Sequence, residues 1–208
     1  MQITPRVTLI SIPKVFNLIR LSSYLLKIIT GNPGTGKHTV AKAIAKKLKL
    51  ELIDINMVAI DEGLFEKRDG VFDVDVNKLK KIIRKKASKN SLLVGHLAPY
   101  VVSRNNVESA VVLRRNPYKL QSIYKKRRYS SKKAIENLGS EILGITYYDM
   151  VKKIGRNKTC QIDTSDKSIS MIVKRIETLF CKGKIQEDDI DWFRLVIKKG
   201  DMKRFFSY

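Results

Sequence analysis

Cysteine, histidine and tryptophan are scarce in this chain, and carboxylates are missing from one end of it. Its 208 residues include two cysteines, two histidines and one tryptophan. Cys160 and Cys181 form no C-x-x-C pair and allow at most one bridge, which excludes a disulfide scaffold and a cysteine-based zinc module. His38 and His96 cannot build a histidine-rich metal centre by themselves, so no metal-ligating cluster is expected. Cysteine usage of this kind fits a cytoplasmic protein. No apolar run reaches the roughly 18 residues that a membrane-spanning helix needs. Residues 3–26 come nearest, but Arg6, Lys14 and Arg20 interrupt them and they lack the order of a signal peptide. The first acidic residue is Glu51.

What is present is enough apolar material for a core and a large surplus of positive charge. The length suits one α/β domain with a lid or tail, and 43% hydrophobic residues exclude wholesale disorder. Lysine and arginine number 42 against 20 acidic residues, a formal net charge of +22. A soluble domain does not need such an excess, and self-repulsion penalises it, so an anionic partner is expected. Polyphosphate, nucleic acid and an anionic membrane surface all qualify. The surplus concentrates in residues 78–89, 114–133 and 152–158, where opposing glutamates at i+4 are few.

Three regions are expected. Residues 1–24 read as a basic arm: a targeting peptide, an RNA-contacting tail or a misassigned start. Residues 25–183 carry alternating strand and helix signals. Leu25–Thr30 is a short apolar strand, Lys37–Lys49 repeats Val40, Ala41, Ile44, Ala45 and Leu48 on one helical face, and Leu52–Ile55 is a second strand. Asp75 caps a helix through Ile83, Ser91–Val94 and Ala110–Leu113 suit central parallel strands, and Asn116-Pro117 starts a helix that runs to Arg128. Lys132 to about Ile154 reads as one helix with Gly139 and Gly144 as weak points, Thr159–Ile162 as the last strand and Ser168–Leu179 as a closing helix. The alternation indicates a doubly wound parallel α/β sheet flanked by helices. Residues 184–208 carry Ile190, Trp192, Phe193, Leu195, Val196, Phe205, Phe206 and Tyr208, a tail that either docks on the domain or binds a partner.

The strongest local signal is Gly31-Asn32-Pro33-Gly34-Thr35-Gly36-Lys37-His38-Thr39, between a strand and a helix. In such a phosphate loop, glycines let backbone N–H groups converge on phosphate oxygens, the helix presents its positive end, and Lys37 supplies a mobile charge for the β and γ phosphates. One position departs from the pattern. A Ser or Thr hydroxyl that coordinates Mg²⁺ is expected after the lysine, and His38 stands there. Thr39 is rotated by about 100° along the helix and does not inherit the role. Either His38 meets nucleotide or metal differently, or the cation is held through water and phosphate, or His38 is bonded only to its neighbours.

Further segments narrow the choice. Leu92-Leu93-Val94-Gly95-His96-Leu97-Ala98, Val111-Val112-Leu113-Arg114, Arg127-Arg128-Tyr129-Ser130, Lys132-Lys133-Ala134-Ile135-Glu136-Asn137 and Glu141-Ile142 follow in an order and spacing that resembles the adenylate kinase isoenzyme six family. These are small P-loop nucleoside monophosphate (NMP) kinases that also act in small ribosomal subunit maturation. Ile162-Asp163-Thr164 and Asp191-Trp192 resemble archaeal members, and the similarity runs from about Leu25 to Trp192. The resemblance implies a P-loop NTPase fold with short NMP-binding and lid segments. It implies ATP phosphates at Gly34, Gly36, Lys37, His38 and Thr39, an NMP-binding segment from about Asp54 to Val76, and a lid from Lys126 to Glu136 in which Arg127 contacts ATP. Lys37, Arg114 and Arg127 are the charges expected to serve phosphoryl transfer, although Arg114 is alternatively a structural partner of a carboxylate and Arg127 one of many solvated basic residues. His96 either orients the attacking water or acceptor phosphate or is satisfied by backbone carbonyls. Two departures stand out: family members often carry an acid where this chain has Val94, and the lid usually reads Arg-Gly-Tyr where this chain has Arg128. Val94 and His38 together remove the usual Asp and Ser/Thr handles on Mg²⁺, which is still expected with ATP.

Two functions therefore compete. One is an NMP kinase that transfers the γ-phosphoryl group of ATP to AMP or another NMP and hydrolyses ATP slowly without an acceptor. The other is a nucleotide-gated assembly factor that binds a small-subunit ribosomal protein or pre-ribosomal RNA. Membrane-surface binding through the arm is a third reading, and no integral membrane segment is expected.

Overall fold

The computed structural model describes residues 25–68, 71–183 and 187–206; the expectations for the basic arm and for Tyr208 fall outside these residues. The alternating apolar runs become a five-stranded sheet in the order β2-β5-β1-β6-β7. Its strands are β1 (Leu26–Thr30), β2 (Glu51–Asp54), β5 (Ser91–Val94), β6 (Val107–Arg114) and β7 (Thr159–Asp163). Every neighbouring pair is parallel. Parallel strands need crossover connections, and these connections cover both faces with helices.

Side chains alternate between the two faces. Ile28, Leu93, Ala110 and Val112 pack under α2 (Ile55–Asp61), α3 (Val76–Lys86), α4 (Ala98–Val101) and α7 (Ile145–Ile154). Ile29, Leu92, Val94, Val111 and Leu113 pack under α1 (Lys37–Leu48) and α8 (Ile169–Lys182). Both sets are completely buried, which explains why the strands read as continuous apolar runs rather than as an alternation with polar residues. A two-stranded antiparallel hairpin of β3 (Phe65–Arg68) and β4 (Val71–Val74) lies between α2 and α3 in the chain.

Asp54, Asp75, Asn116, Ser130, Ser168 and Asp191 each cap a helix, the last of them α9 (Trp192–Lys198), with a side-chain oxygen that accepts a backbone N–H. The single helix expected over 132–154 is two: α6 (Ser131–Ile142) and α7. Gly139 stays inside α6, whereas Gly144 adopts φ 67° and starts α7. Only the second glycine uses its freedom to break the helix, because a left-handed residue there turns the chain back toward the sheet.

The carboxy-terminal segment packs on the rest of the molecule. Val196 of α9 and Phe205 of α10 (Met202–Phe205) are fully buried against Leu120 and Tyr124 of α5 (Pro117–Lys126) and Leu138 and Ile142 of α6. Upstream, residues 187–188 cover edge strand β7. Asp188 N–H donates to the Gln161 carbonyl at 3.3 Å, and the carboxylates of Glu187 and Asp188 accept the Gln161 and Asp163 amides at 3.2 and 2.8 Å. An open edge is thereby closed without a further strand.

Candidate active site

The phosphate loop leaves the carboxyl end of central strand β1. Gly31 has φ 143°, and a Cβ there would lie 2.3 Å from the Leu113 carbonyl oxygen, so only glycine lets the loop run against β6. The loop is tied down on several sides. Thr35 Oγ1 donates to the Asn32 carbonyl at 2.9 Å, Tyr124 OH donates to the Pro33 carbonyl at 2.7 Å, and Thr164 Oγ1 donates to the Thr35 carbonyl at 3.1 Å. The Asn32 side chain points the other way. Its Nδ2 donates to Glu141 Oε2 at 2.8 Å, and its Oδ1 accepts from Ser140 and Thr146 at 3.2 Å each. Donors aimed at phosphate oxygens act best when their geometry is fixed beforehand, and this network fixes it.

In front of the loop lies a cavity of about 400 Å³. Gly34, Gly36, Lys37, His38 and Thr39 of the loop and α1 line it together with Asn56, His96, Arg127, Tyr129 and Lys133. Burial, with Arg127 beside it, lowers Lys37 to about 8, against a smaller opposing pull from Asp54 and Glu141. Its Nζ donates to the Asn32 carbonyl at 3.3 Å. His96 is pushed down to about 4, first by burial and then by the neighbouring charge of Lys37, against a smaller opposing pull from Asp54, so it is a neutral imidazole near pH 7. The lid is stiffened by rings. Tyr129 stacks on Tyr124 at 5.1 Å, and Lys133 Nζ sits 4.7 Å above the Tyr129 ring. Between them Arg128 takes φ 54°, the left-handed conformation that suits the glycine expected there.

Arg114 is not in this cavity. It is buried, and all three guanidinium nitrogens are engaged: Nε with Glu141 Oε1 at 2.8 Å, Nη1 with Gln161 Oε1 at 2.8 Å and Nη2 with the Glu141 carbonyl at 2.7 Å. These bonds are the structural pairing with a carboxylate that the sequence left open beside the catalytic role. Arg114 holds Glu141, and Glu141 holds Asn32. Trp192 Nε1 donates to the same Glu141 Oε1 at 3.3 Å, which joins the carboxy-terminal segment to the loop.

Four residues have roles that the sequence reading did not assign. Asn32 of the loop, Tyr124 and Glu141 act through contacts made by distant segments. Asp54, read only as the start of the NMP-binding segment, is the fourth. Val94 is buried in the core and pairs in register with Asp54 on the adjacent strand, so the carboxylate absent from β5 is present one strand away. Asp54 Oδ2 accepts from His38 Nδ1 at 2.9 Å, while Oδ1 accepts the amides of Asn56 and Met57 at 3.0 and 3.4 Å. Burial opposes ionisation of Asp54, but the His38 contact and the two amides outweigh it and hold the carboxyl below its usual range. Asn56 Oδ1 is buried without a hydrogen-bond partner on the cavity wall.

The donor set bears on a cation. Among the described residues no group of three His, Cys, Asp or Glu side chains converges. The protein offers His38 with Asp54 behind it, which fits a cation that brings phosphate oxygens and water as its other ligands and does not fit an all-protein cage. A second hollow, about 1000 Å³, lies at the opposite ends of the strands, where Thr159 begins β7. It is lined by ion pairs, Arg175 with Asp188 and Arg156 with Glu187, and by none of the loop residues.

Residues 28–144 match the family described as AAA domain. A protein of Methanococcus maripaludis named "Putative adenylate kinase" is 32% identical over 172 residues, covering 79% of this chain and 93% of that protein. One of Thermococcus onnurineus with the same name is 29% identical over 166 residues, covering 79% and 89%. Among solved structures, shikimate kinase from Acinetobacter baumannii in complex with shikimate shares the fold with a TM-score of 0.54 at 17% identity, covering 78% of this chain and 96% of that one.

Proposed function

The chain belongs to the adenylate kinase-like NMP kinases with an AAA domain core of the P-loop class, and from that membership we propose that it transfers the γ-phosphoryl group of ATP to AMP or another NMP. The observation that carries the reading is the convergence of Lys37, Arg127 and His96 on one cavity beside a pre-tied phosphate loop. Lys37 and Arg127 supply positive charge to the migrating group, and neutral His96 positions a hydroxyl or phosphate oxygen by hydrogen bonding. Gly34, Gly36, His38 and Thr39 line the place of the ATP phosphates, and the α2 and β3–β4 segment is the place of the acceptor. A divalent cation brought by the nucleotide would neutralise phosphate charge, with His38 and Asp54 as the protein groups that would face it. Slow ATP hydrolysis without acceptor and kinship with the isoenzyme six branch belong to the same proposal. A matrix of NMP acceptors against NTP donors, with and without Mg²⁺, tests it. ADP and a nucleoside diphosphate should form, and failure to transfer to every acceptor overturns it.

A second reading is that the protein also serves cytoplasmic small-subunit assembly by contacting RNA or a ribosomal protein. It is favoured by Lys125, Lys126, Arg128 and Lys132 at the lid, which are exposed and make no ion pair among the described residues. RNA affinity should then fall with salt at a log–log slope of about −0.7 per phosphate contact. A flat response removes RNA as the partner.

A further inference from the structure

We propose that His38 is a nitrogen ligand for the divalent cation that accompanies the nucleotide, and that this ligand shifts the site's preference from Mg²⁺ toward borderline cations such as Co²⁺. The inference rests on the nucleotide-binding reading above and adds a metal specificity to it.

Three observations carry it. His38 occupies the position after Lys37, in the lining of the phosphate cavity, where a hard hydroxyl ligand is otherwise expected. Its Nδ1 donates to Asp54 Oδ2 at 2.9 Å, and Nε2 makes no hydrogen bond among the described residues. Metal-binding histidines have this arrangement: a carboxylate takes one ring N–H, fixes the tautomer and the ring plane, and leaves the other nitrogen as a lone-pair donor. The carboxylate is itself immobilised, since its second oxygen accepts the Asn56 and Met57 amides at 3.0 and 3.4 Å. The third observation is the lack of a carboxylate at the end of β5. Val94 stands in register with Asp54 and is buried in the apolar core, so no side-chain oxygen at the end of β5 offers the cation an alternative.

The chemistry then decides the metal. Mg²⁺ dehydrates reluctantly and takes oxygen ligands, whereas imidazole suits later first-row cations whose nitrogen affinity rises along the Irving–Williams order. Exchanging a hydroxyl for an imidazole at one coordination position penalises Mg²⁺ and rewards Co²⁺, while phosphate oxygens and water complete the shell for either ion. The opposite assignment for His38 is a protonated ring that contacts phosphate directly as a charge and needs no metal.

The test uses the full chain with Co²⁺·ATP and Mg²⁺·ATP. The wild-type protein should bind Co²⁺·ATP about tenfold or more tightly over Mg²⁺·ATP, and it should shift the visible d–d bands of the Co²⁺ complex as a nitrogen ligand enters. His38→Thr should abolish the band shift and bring the affinity ratio close to that of the free metal–ATP complexes. Asp54→Asn, which keeps the imidazole but weakens its anchor, should reduce the ratio partway. Thermal unfolding of both variants verifies that they fold. Unchanged Co²⁺ bands on adding wild-type protein, or an affinity ratio equal in wild type and His38→Thr, overturn the proposal. A wild-type advantage in ATP affinity over His38→Thr that persists undiminished in EDTA overturns the proposal and identifies the direct phosphate contact instead. A His38-dependent band shift without phosphoryl transfer to any acceptor leaves the metal assignment standing and refutes the kinase reading. Transfer that is indifferent to His38 and to the metal does the reverse.

Discussion

Lys37 illustrates a conflict between binding and stability within one residue. The folded protein holds it at about 8 against an ordinary value of 10.5. The unfolded chain therefore binds the extra proton between those values, and stability rises with pH across the window from about 8 to 10.5. Below it the buried charge costs the fold a constant amount. Lys37→Met should remove that cost and stabilise the empty protein at pH 7 by roughly 2–3 kcal/mol, flatten the pH slope in urea denaturation, and lower phosphoryl transfer by orders of magnitude. ATP affinity of the wild type should weaken as pH rises past about 8, because the cation that meets phosphate is lost. Arg128 makes a simpler case. A non-glycine residue at φ 54° carries steric strain of about 1 kcal/mol, so Arg128→Gly should raise the melting temperature slightly with the lid otherwise intact. A fall in melting temperature would show that the arginine side chain compensates for its backbone.

At the scale of elements, the buried pair Arg114–Glu141 is a joint. It connects the end of β6, the last turn of α6, the phosphate loop through Asn32, and the start of α9 through Trp192. Removing one partner of a buried pair leaves the other uncompensated, at a cost of about 3–5 kcal/mol. Glu141→Ala should lose that much in chemical denaturation. The emission of Trp192, the chain's one tryptophan, should shift as well, since the indole N–H loses its acceptor. If nucleotide binding moves the loop, the same emission reports it in the wild type. The joint was hard to read because its partners lie far apart in sequence: Asn32 and Glu141 are 109 residues apart, and Arg114 and Gln161 are 47 apart. Single positions revealed an arginine at a strand end and a glutamate in a helix, both of which also fit a cavity wall.

For the molecule at large, three apolar clusters among the described residues divide the labour. Two sandwich the sheet, and the third seats the lid helices on the carboxy-terminal segment. Phe205 is completely buried in the third, edge-on to Tyr118 at 5.1 Å, and Tyr118 OH donates to Asp201 at 2.6 Å. Phe205→Ala should cost about 3–5 kcal/mol by emptying that cluster. It should also weaken ATP binding, because Tyr124 of the same cluster holds the Pro33 carbonyl of the loop. Calorimetry of ATP binding next to a denaturation curve separates the two effects; a stability loss with unchanged affinity would confine the tail to a packing role. No helix among the described residues is long and apolar enough to cross a membrane.

Local order was legible in the sequence because its causes are local. The apolar runs of β1, β5 and β6, the glycines and lysine of the loop, the 3.6-residue period of α1 and the caps Asp75, Asn116 and Ser168 each act within a few residues of chain. These determined a parallel α/β sheet with a phosphate site at the end of β1. Tertiary structure decided what the charged groups do. Pairing of β2 with β5 sets Asp54 level with Val94, and packing of α1 beside β2 brings His38 to that carboxylate. Closure of α6 over the loop takes Arg114 out of the phosphate cavity and gives it to Glu141. A charge acts through whatever lies within a few ångströms, and strand order and helix packing, which no local window contains, choose those neighbours.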